Sequence, residues 1–465
     1  MVSAWEKFGY GPWDNTETVP KESPADVVRA RMGLPGTLRP VPGEGVVQRP
    51  VFDPAAAHHA RGMRLSEPRF TDARREAAWF AGRRQALDHA LAAVAGSPWT
   101  EHLVLRGSRL LTSWFGDAAR DPGDLDFVVV PDTWELTDPR TDTMLNDLAS
   151  TAEALSRAGG PVRIDAAGAL SDEIWTYDRV PGRRLVLPWT AVDPAGPDAV
   201  PPSTAPSTAP STATAEALGG TVQLDFVFNE PLPAPPAMTA VAPLRGGADL
   251  VLNAATRELS LAWKILWLVS DVHPEAKDLY DAILLAETTD LSEDLLHRVF
   301  RMGSDTYYHQ HPVGLDDLAQ VEADWFEFGK DYPDFPGNGA DQLARLLIAV
   351  APTFVPGADG PYECLADWLA PRTEAHRTVL AESGMDAVQS HLVDRRSPAV
   401  VALVITRELL GRAACDLSRA ADLVAAFRTG APVVVDRARF LGDPHTAAEW
   451  LARGGSHSEA LARRK

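Results

Sequence analysis

Cysteine is almost missing from these 465 residues: only Cys364 and Cys415 are present, too few for a disulfide framework or a cysteine zinc site. No apolar run approaches the roughly 18 residues that a membrane-spanning helix needs. The start, MVSAWEKFGYGPWDNTE, has no basic region followed by an apolar stretch and no transit-type pattern, so the expected location is cytoplasmic, with no membrane partner. Basic residues are in deficit too. The 44 Lys and Arg against 64 Asp and Glu leave a formal charge of -20, which repels nucleic acid at long range and argues against a protein that coats or slides along it. G-x-S-x-G, P-loop and H-E-x-x-H patterns are all absent, which removes the hydrolase, P-loop NTPase and zincin signatures.

What remains is the composition of a soluble globular protein, 45% hydrophobic and 23% charged, on a chain long enough for two or three domains. Residues 1–65 are rich in Pro and Gly with little periodicity and read as an extended or loosely packed arm. From about Thr71 to Ala95, apolar residues recur at three- and four-residue steps, predicting a helix that Gly96, Ser97 and Pro98 stop. His102 to Leu105 reads as a short strand and Arg106-Gly107-Ser108 as a corner. Leu110 to Phe115 reads as a helix, Asp121-Pro122-Gly123 as a turn, and Leu125 to Val130 as a β-prone run. The arginines from Arg64 to Arg84 make a dense basic cluster. A solvated helix face paired with Glu67, Asp72 and Glu76 is the plainer account, and a docking surface is the alternative.

Residues 201–220, PPSTAPSTAPSTATAEALGG, repeat a Pro-Ser-Thr-Ala unit that buries too little apolar surface to order itself. The segment joins two strand-like pieces, Arg183 to Trp189 and Thr221 to Phe228, and so reads as an insertion in a β-connection. Beyond Pro243 the pattern is almost wholly helical, without the period of a solenoid. The expected division is an arm over 1–65, an α+β core over 66–242 with the insertion at 201–220, and an α-helical domain over 243–465.

The chemistry lies in carboxylates on strands. Asp124 and Asp126, in DLDF, are two apart and share a face, with Leu125 and Phe127 on the other. Two carboxylates so placed repel each other unless a cation sits between them. Gly107-Ser108, at a strand-to-helix corner, offers backbone N–H groups and a hydroxyl to phosphate oxygens, and glycine permits the close approach. Asp225 interrupts the apolar run Val222 to Phe228, where an unpartnered carboxylate is costly and a metal or a basic partner is the remedy. A phosphate cradle followed by paired carboxylates suits a nucleoside triphosphate with magnesium, two ions being expected. In such a site Asp225 would bind the catalytic ion and help deprotonate the attacking hydroxyl.

The Gly-Ser corner, the DLDF strand, the later strand Asp, the Leu-Ala-x-Lys helix ending at Lys264, and Lys277-Asp278-Leu279-Tyr280-Asp281 together resemble the AbiEii/AbiGii toxin family. These are nucleotidyltransferases of the polymerase-beta-like superfamily and the toxin half of type IV toxin-antitoxin systems. The resemblance implies a polymerase-beta-like domain with a small mixed sheet, followed by an α-helical domain. It implies transfer of a nucleoside monophosphate from an NTP to an acceptor hydroxyl, on RNA such as the tRNA 3' end or on protein, and a cognate antitoxin as partner. It places triphosphate binding on Gly107, Ser108 and Lys264 and magnesium on Asp124 and Asp126, and it completes the active site with Lys264 and with Asp278 or Asp281.

Read by themselves, those last residues stay open. Lys264, among Leu259, Trp263, Leu266 and Trp267, can neutralise a triphosphate or snorkel to water. Asp278 and Asp281 share a helix face and read equally as an exposed acidic edge. Lys277 stands where the family's final motif usually begins with Arg, whose planar bidentate recognition Lys does not reproduce. Competing readings are a small-molecule nucleotidyltransferase of the antibiotic-modifying type and a non-catalytic nucleotide-binding partner protein. His309-Gln310-His311 lacks the further ligands of a metal site, and His58-His59 is splayed. Trp263, Trp267, Trp325 and Trp368 fall at helical core positions.

Overall fold

Trp5, Phe8, Trp13, Met32, Leu38 and Met63 pack into one buried apolar cluster, so the first 65 residues are not the loosely packed arm that their Pro and Gly content predicts. Large side chains order a segment that has no regular period. The computed structural model describes residues 3–56, 59–176, 180–191, 218–303, 311–333, 335, 337–430 and 442–453. Around the arm's cluster lie α1 (Asp26–Met32) and four short strands: β1 (Val46–Val47), β2 (Pro50–Phe52), β3 (Met63–Leu65) and β4 (Arg69–Phe70). They pair antiparallel, β1 with β4 and β2 with β3.

α2 (Ala73–Ala95) runs as the periodicity predicts. Asp72 caps it by accepting from the N–H groups of Arg74 and Arg75, and Gly96 ends it. The nearby arginines are more than a solvated face: Arg83 is buried and pairs with Glu67 and Asp121, while Arg69 meets Glu76 at 3.7 Å. Next come β5 (Leu103–Arg106), α3 (Ser108–Phe115), β6 (Asp124–Val129) and α4 (Pro139–Ala158), the last with Asp138 as cap and Pro139 in its first turn. The sheet is completed by β7 (Val162–Ile164), β8 (Leu170–Thr176), β9 (Val180–Ala191), β10 (Leu218–Val227), β11 (Ala237–Val241) and β12 (Leu250–Ala254).

These eight strands form one mixed sheet in the order β11-β12-β5-β6-β10-β9-β7, with β8 also on β9, so the sheet is larger than expected. β6 with β10 and β12 with β5 are parallel pairs; the others are antiparallel. One side is apolar. There Phe127 stacks on Phe226 at 5.4 Å between ring centroids, and α2 comes so close that a Cβ on Gly82 would lie 2.7 Å from the Trp189 ring. Arg183, on the same side of β9 as Trp189, pairs with Asp142 of α4 at 3.3 Å. α2 and α4 therefore cover one side of the sheet, and the alternate residues of each strand face the other.

The sheet also continues further along the chain than the pattern suggests. β12 lies beyond Pro243, held to β5 through Ala254 opposite Leu105, and the two compact units of the chain are 1–255 and 256–465. The second unit is helical. α5 (Arg257–Ser270) starts at Thr256, whose hydroxyl accepts from Leu259 N–H, and α6 (Ala276–Ala286) and α7 (Glu293–Gly303) follow. Further helices include Gly339–Phe354, Pro361–Asp394 and Ala399–Leu410. No described helix is long and apolar enough to cross a membrane. Cys364 and Cys415 are buried and free. The 201–220 insertion falls outside the described residues except for its last three, which open β10, and His58, His309 and Gln310 lie outside them as well.

Candidate metal and nucleotide site

Strand register assembles the site. Arg106 of β5 lies opposite Asp126 of β6, Asp126 opposite Asp225 of β10, Asp225 opposite Arg184 of β9, and Arg184 opposite Asp172 of β8. Cross-strand partners share a face, so five charged side chains make one row across the sheet. Asp124 and Gln223 are opposite each other one step along. Oxygens of Asp124, Asp126 and Asp225 lie within 4.8 Å of one another. Asp225 is buried, whereas Asp124 and Asp126 are half-buried. The three predicted carboxylates are thus brought together on the side of the sheet away from α2 and α4.

Gly107 turns the chain from β5 into α3 at a φ of 78°, in the region that favours glycine, and a Cβ there would come within 2.0 Å of Asp126 Oδ2. Ser108 Oγ donates to Asp124 Oδ1 at 3.4 Å. Beneath them Arg109 anchors α3 by donating to Ser113 Oγ and to the Ala242 carbonyl. Burial holds the Arg109 guanidinium below its usual value, against the pull of Asp88. The start of α3 therefore meets the carboxylates with no intervening side chain at Gly107.

Asp225 has partners that its isolation on an apolar strand did not reveal. Arg184 Nε donates to Oδ1 at 3.0 Å and Nη2 to Oδ2 at 2.9 Å, while Gln223 Nε2 donates to Oδ2 at 3.1 Å. A carboxylate has about four lone-pair sites, so the position left open is on Oδ1. Burial pushes the Asp225 carboxyl above its ordinary range; Arg184 pulls it down, and Asp124 and Asp53 push it up again. The guanidiniums of the row, Arg184 shared with Asp53 and Arg106 donating to Glu230 at 2.8 Å, do not offset all of this negative charge. A divalent cation with a preference for hard oxygen ligands would, and the donor set fits magnesium.

The arm reaches the same row. Arg184 Nη1 donates to Asp53 Oδ2 at 2.7 Å, and Thr37 N–H donates to Asp172 Oδ2 at 2.7 Å. Burial lowers the proton affinity of Arg184, but Asp225 and Asp53 outweigh it and keep the guanidinium charged, well above its usual value. Bounded by the arm, α2 and the sheet lies a cavity of about 160 Å³ lined by Arg39, Arg64, Arg83, Arg184, Trp79 and Gln223 among others. Arg184 and Asp53 were missed in the sequence. The one local signal was Arg183-Arg184 inside β9: adjacent residues point to opposite sides of the sheet, so one of the two cations had to share the side of the Asp225 carboxylate once β9 and β10 pair.

A family model described as the nucleotidyl transferase AbiEii toxin of the type IV TA system matches residues 89–345, more than half of the chain. The chain belongs to this family. A search of curated proteins gave no match. The AbiEii match spans Gly107, Ser108, all three carboxylates and Arg184, whereas Asp53 and the rest of the arm precede it.

The remaining residues implied by the AbiEii resemblance form a second cluster, within the helical unit. Lys264 of α5 donates from Nζ to Asp278 Oδ1 of α6 at 2.6 Å, lies 3.2 Å from Asp281 Oδ2, and sits 4.9 Å over the Trp267 ring. Their exposures are 6%, 3% and 1%. Lys264 does not snorkel, and the aspartates are no exposed edge. Lys277, in the place of the usual Arg, lies 3.1 Å from Glu275. Trp263 and Trp267 are buried, and Trp325 and Trp368 are half-buried.

Proposed function

We propose that this AbiEii-family chain transfers a nucleoside monophosphate from an NTP to an acceptor hydroxyl with magnesium as cofactor, and acts as the toxin of a pair with a cognate antitoxin. The observation that carries the reading is the register that sets Asp124, Asp126 and Asp225 together beside Gly107. When bound, magnesium would supply the Lewis-acid charge that a transferring phosphoryl group needs. Asp124, Asp126 and Asp225 would hold it, with room in the reading for two ions. Backbone N–H groups at the start of α3 and the Ser108 hydroxyl receive triphosphate oxygens. The acceptor oxygen bonds to the α-phosphorus while the bond to the β-phosphate oxygen breaks. Pyrophosphate leaves, and the hydroxyl proton passes to a carboxylate oxygen of the cluster. For Lys264, Asp278 and Asp281 the resemblance implies a place in the active site, while their mutual ion pairs support a structural one.

RNA, such as the tRNA 3' end, or a protein hydroxyl is the proposed acceptor. The net charge of -20 favours a second reading, a small-molecule acceptor. Incubating the full chain with each labelled NTP, magnesium, total tRNA and cell protein separates these. Label in RNA or protein supports the first reading. Pyrophosphate release only with added small hydroxyl compounds selects the second, and NTP binding without pyrophosphate release under any condition leaves a non-catalytic nucleotide-binding protein.

A further inference from the structure

We propose that Arg184 and Asp53 are a positioning pair for the carboxylate cluster and that the N-terminal arm, through Asp53, sets the cluster's affinity for a divalent cation. The proposal rests on the reading that Asp124, Asp126 and Asp225 bind such a cation. Asp53 is fixed by the arm's own backbone: its N–H donates to the Gly62 carbonyl at 2.7 Å, and its Oδ1 accepts from Ala55 N–H at 3.1 Å. Its Oδ2 accepts from Arg184 Nη1, and Arg184 turns Nε and Nη2 on Asp225. All three residues are buried, at 6% for Asp53 and 8% for Arg184 and for Asp225.

One guanidinium therefore stands between two acids. A positive charge given wholly to Asp225 would compete with a metal ion for that carboxylate, and Asp53 draws part of it away. The planar fork meanwhile fixes the Asp225 carboxylate and leaves its open position on Oδ1. The arm holds this row twice, through Asp53 and through Thr37 on Asp172, the residue opposite Arg184; the two contacts join residues 131 and 135 apart in sequence. Arg184 acts through Asp225 and Asp53 acts through Arg184. Neither is itself a cation ligand.

Charge and geometry give the variants opposite signs. In the full chain, titrated with Mn2+ above neutral pH and followed by electron paramagnetic resonance, Asp53→Asn leaves the guanidinium to Asp225 alone and weakens Mn2+ binding, on the order of tenfold. Arg184→Gln removes the competing cation and tightens Mn2+ binding by a similar factor, while kcat for transfer falls because Asp225 loses its orientation. Arg184→Lys keeps the charge and loses the fork, so Mn2+ affinity stays within about threefold of wild type and kcat falls. A purely structural pair would move Mn2+ affinity in one direction for both charge-removing variants, or not at all. Either result, with Asp124→Ala abolishing Mn2+ binding, overturns the proposal. If Asp124→Ala leaves Mn2+ binding unchanged, the cluster is not the cation site and the functional reading beneath the proposal fails instead. Should Arg184→Gln not fold, the contrast between Asp53→Asn, which must weaken binding, and Arg184→Lys, which must preserve it, decides the matter.

Discussion

The two clusters of buried charge are balanced in different ways. In the helical unit Lys264 brings the chain's own cation to Asp278 and Asp281, with all three side chains almost fully enclosed. In the sheet unit three carboxylates converge, the guanidinium on Asp225 is shared with a fourth acid, Asp53, the one opposite Asp126, Arg106, donates to Glu230, and two of the three remain half-buried. A cluster completed within the chain is costly to break but has no need of a ligand. A cluster short of positive charge and partly open is where a cation gains most.

Breaking each cluster should therefore damage different properties. Asp124→Ala or Asp126→Ala is expected to abolish transfer, a fall of about three orders of magnitude or more if several kcal/mol of charge stabilisation is lost. The melting temperature should hold or rise, because one of two repelling carboxylates is gone. Near wild-type turnover of either variant at saturating magnesium would remove the sheet cluster from the chemistry. Lys264→Met should do the reverse. Leaving Asp278 and Asp281 buried without their cation should cost about 3–5 kcal/mol of stability, read by urea unfolding of the full chain. If Lys264→Met instead keeps wild-type stability and loses transfer, the helical cluster is part of the active site, as the AbiEii resemblance implies, and the contrast between the two clusters collapses.

A smaller change sharpens the contrast within the sheet unit. From the sequence alone, Asp225 reads as both ligand and proton acceptor, with the proton favoured because Asp124 and Asp126 already supply two carboxylates. The hydrogen bonds of Arg184 and Gln223 leave one open position on Asp225, which favours the ligand. Asp225→Asn should then weaken cation and triphosphate binding together, because a neutral amide is a poorer ligand for a hard cation, by no less than the roughly 10-fold that loss of a mere outer-shell partner costs. Calorimetry with unchanged triphosphate affinity and a slowed single-turnover step would return Asp225 to the role of base.

The elements that local pattern controls were legible. α2, β5, α3, β6, β9 and β10 lie where periodicity and turn residues put them, and the triad of Asp124, Asp126 and Asp225 converges because alternation on two strands already fixed which side chains share a face. What escaped depends on distant partners. Thr37 finds Asp172, and Asp53 finds Arg184, across more than a hundred residues. Asp278 and Asp281 read as an edge because nothing local says that α5 and α6 enclose them with Lys264. The sheet runs past Pro243 because β12 finds β5, a pairing that no period within Leu250–Ala254 announces.

The mildest change should be deletion of residues 201–215. Ala191 and Leu218 are paired directly across the antiparallel β9 and β10, so the two ends of the connection are held by the sheet, whatever lies between them. Cutting that connection to somewhat less than half its length lowers the closure entropy by about 0.6 kcal/mol, the increment for a halving of loop length. The expected result is a melting temperature equal to or slightly above that of the full chain, with transfer unchanged. The comparison is informative because the flanking strands carry Arg184 and Asp225, the pair on which the sheet cluster depends. If deletion leaves the melting temperature alone but alters Mn2+ affinity or transfer, the insertion acts on the cluster, and the balance of charge on β9 and β10 is not set by the arm and sheet alone. If it destroys soluble protein, the Pro-Ser-Thr-Ala repeat is structural, and its composition has been misread as too polar to matter.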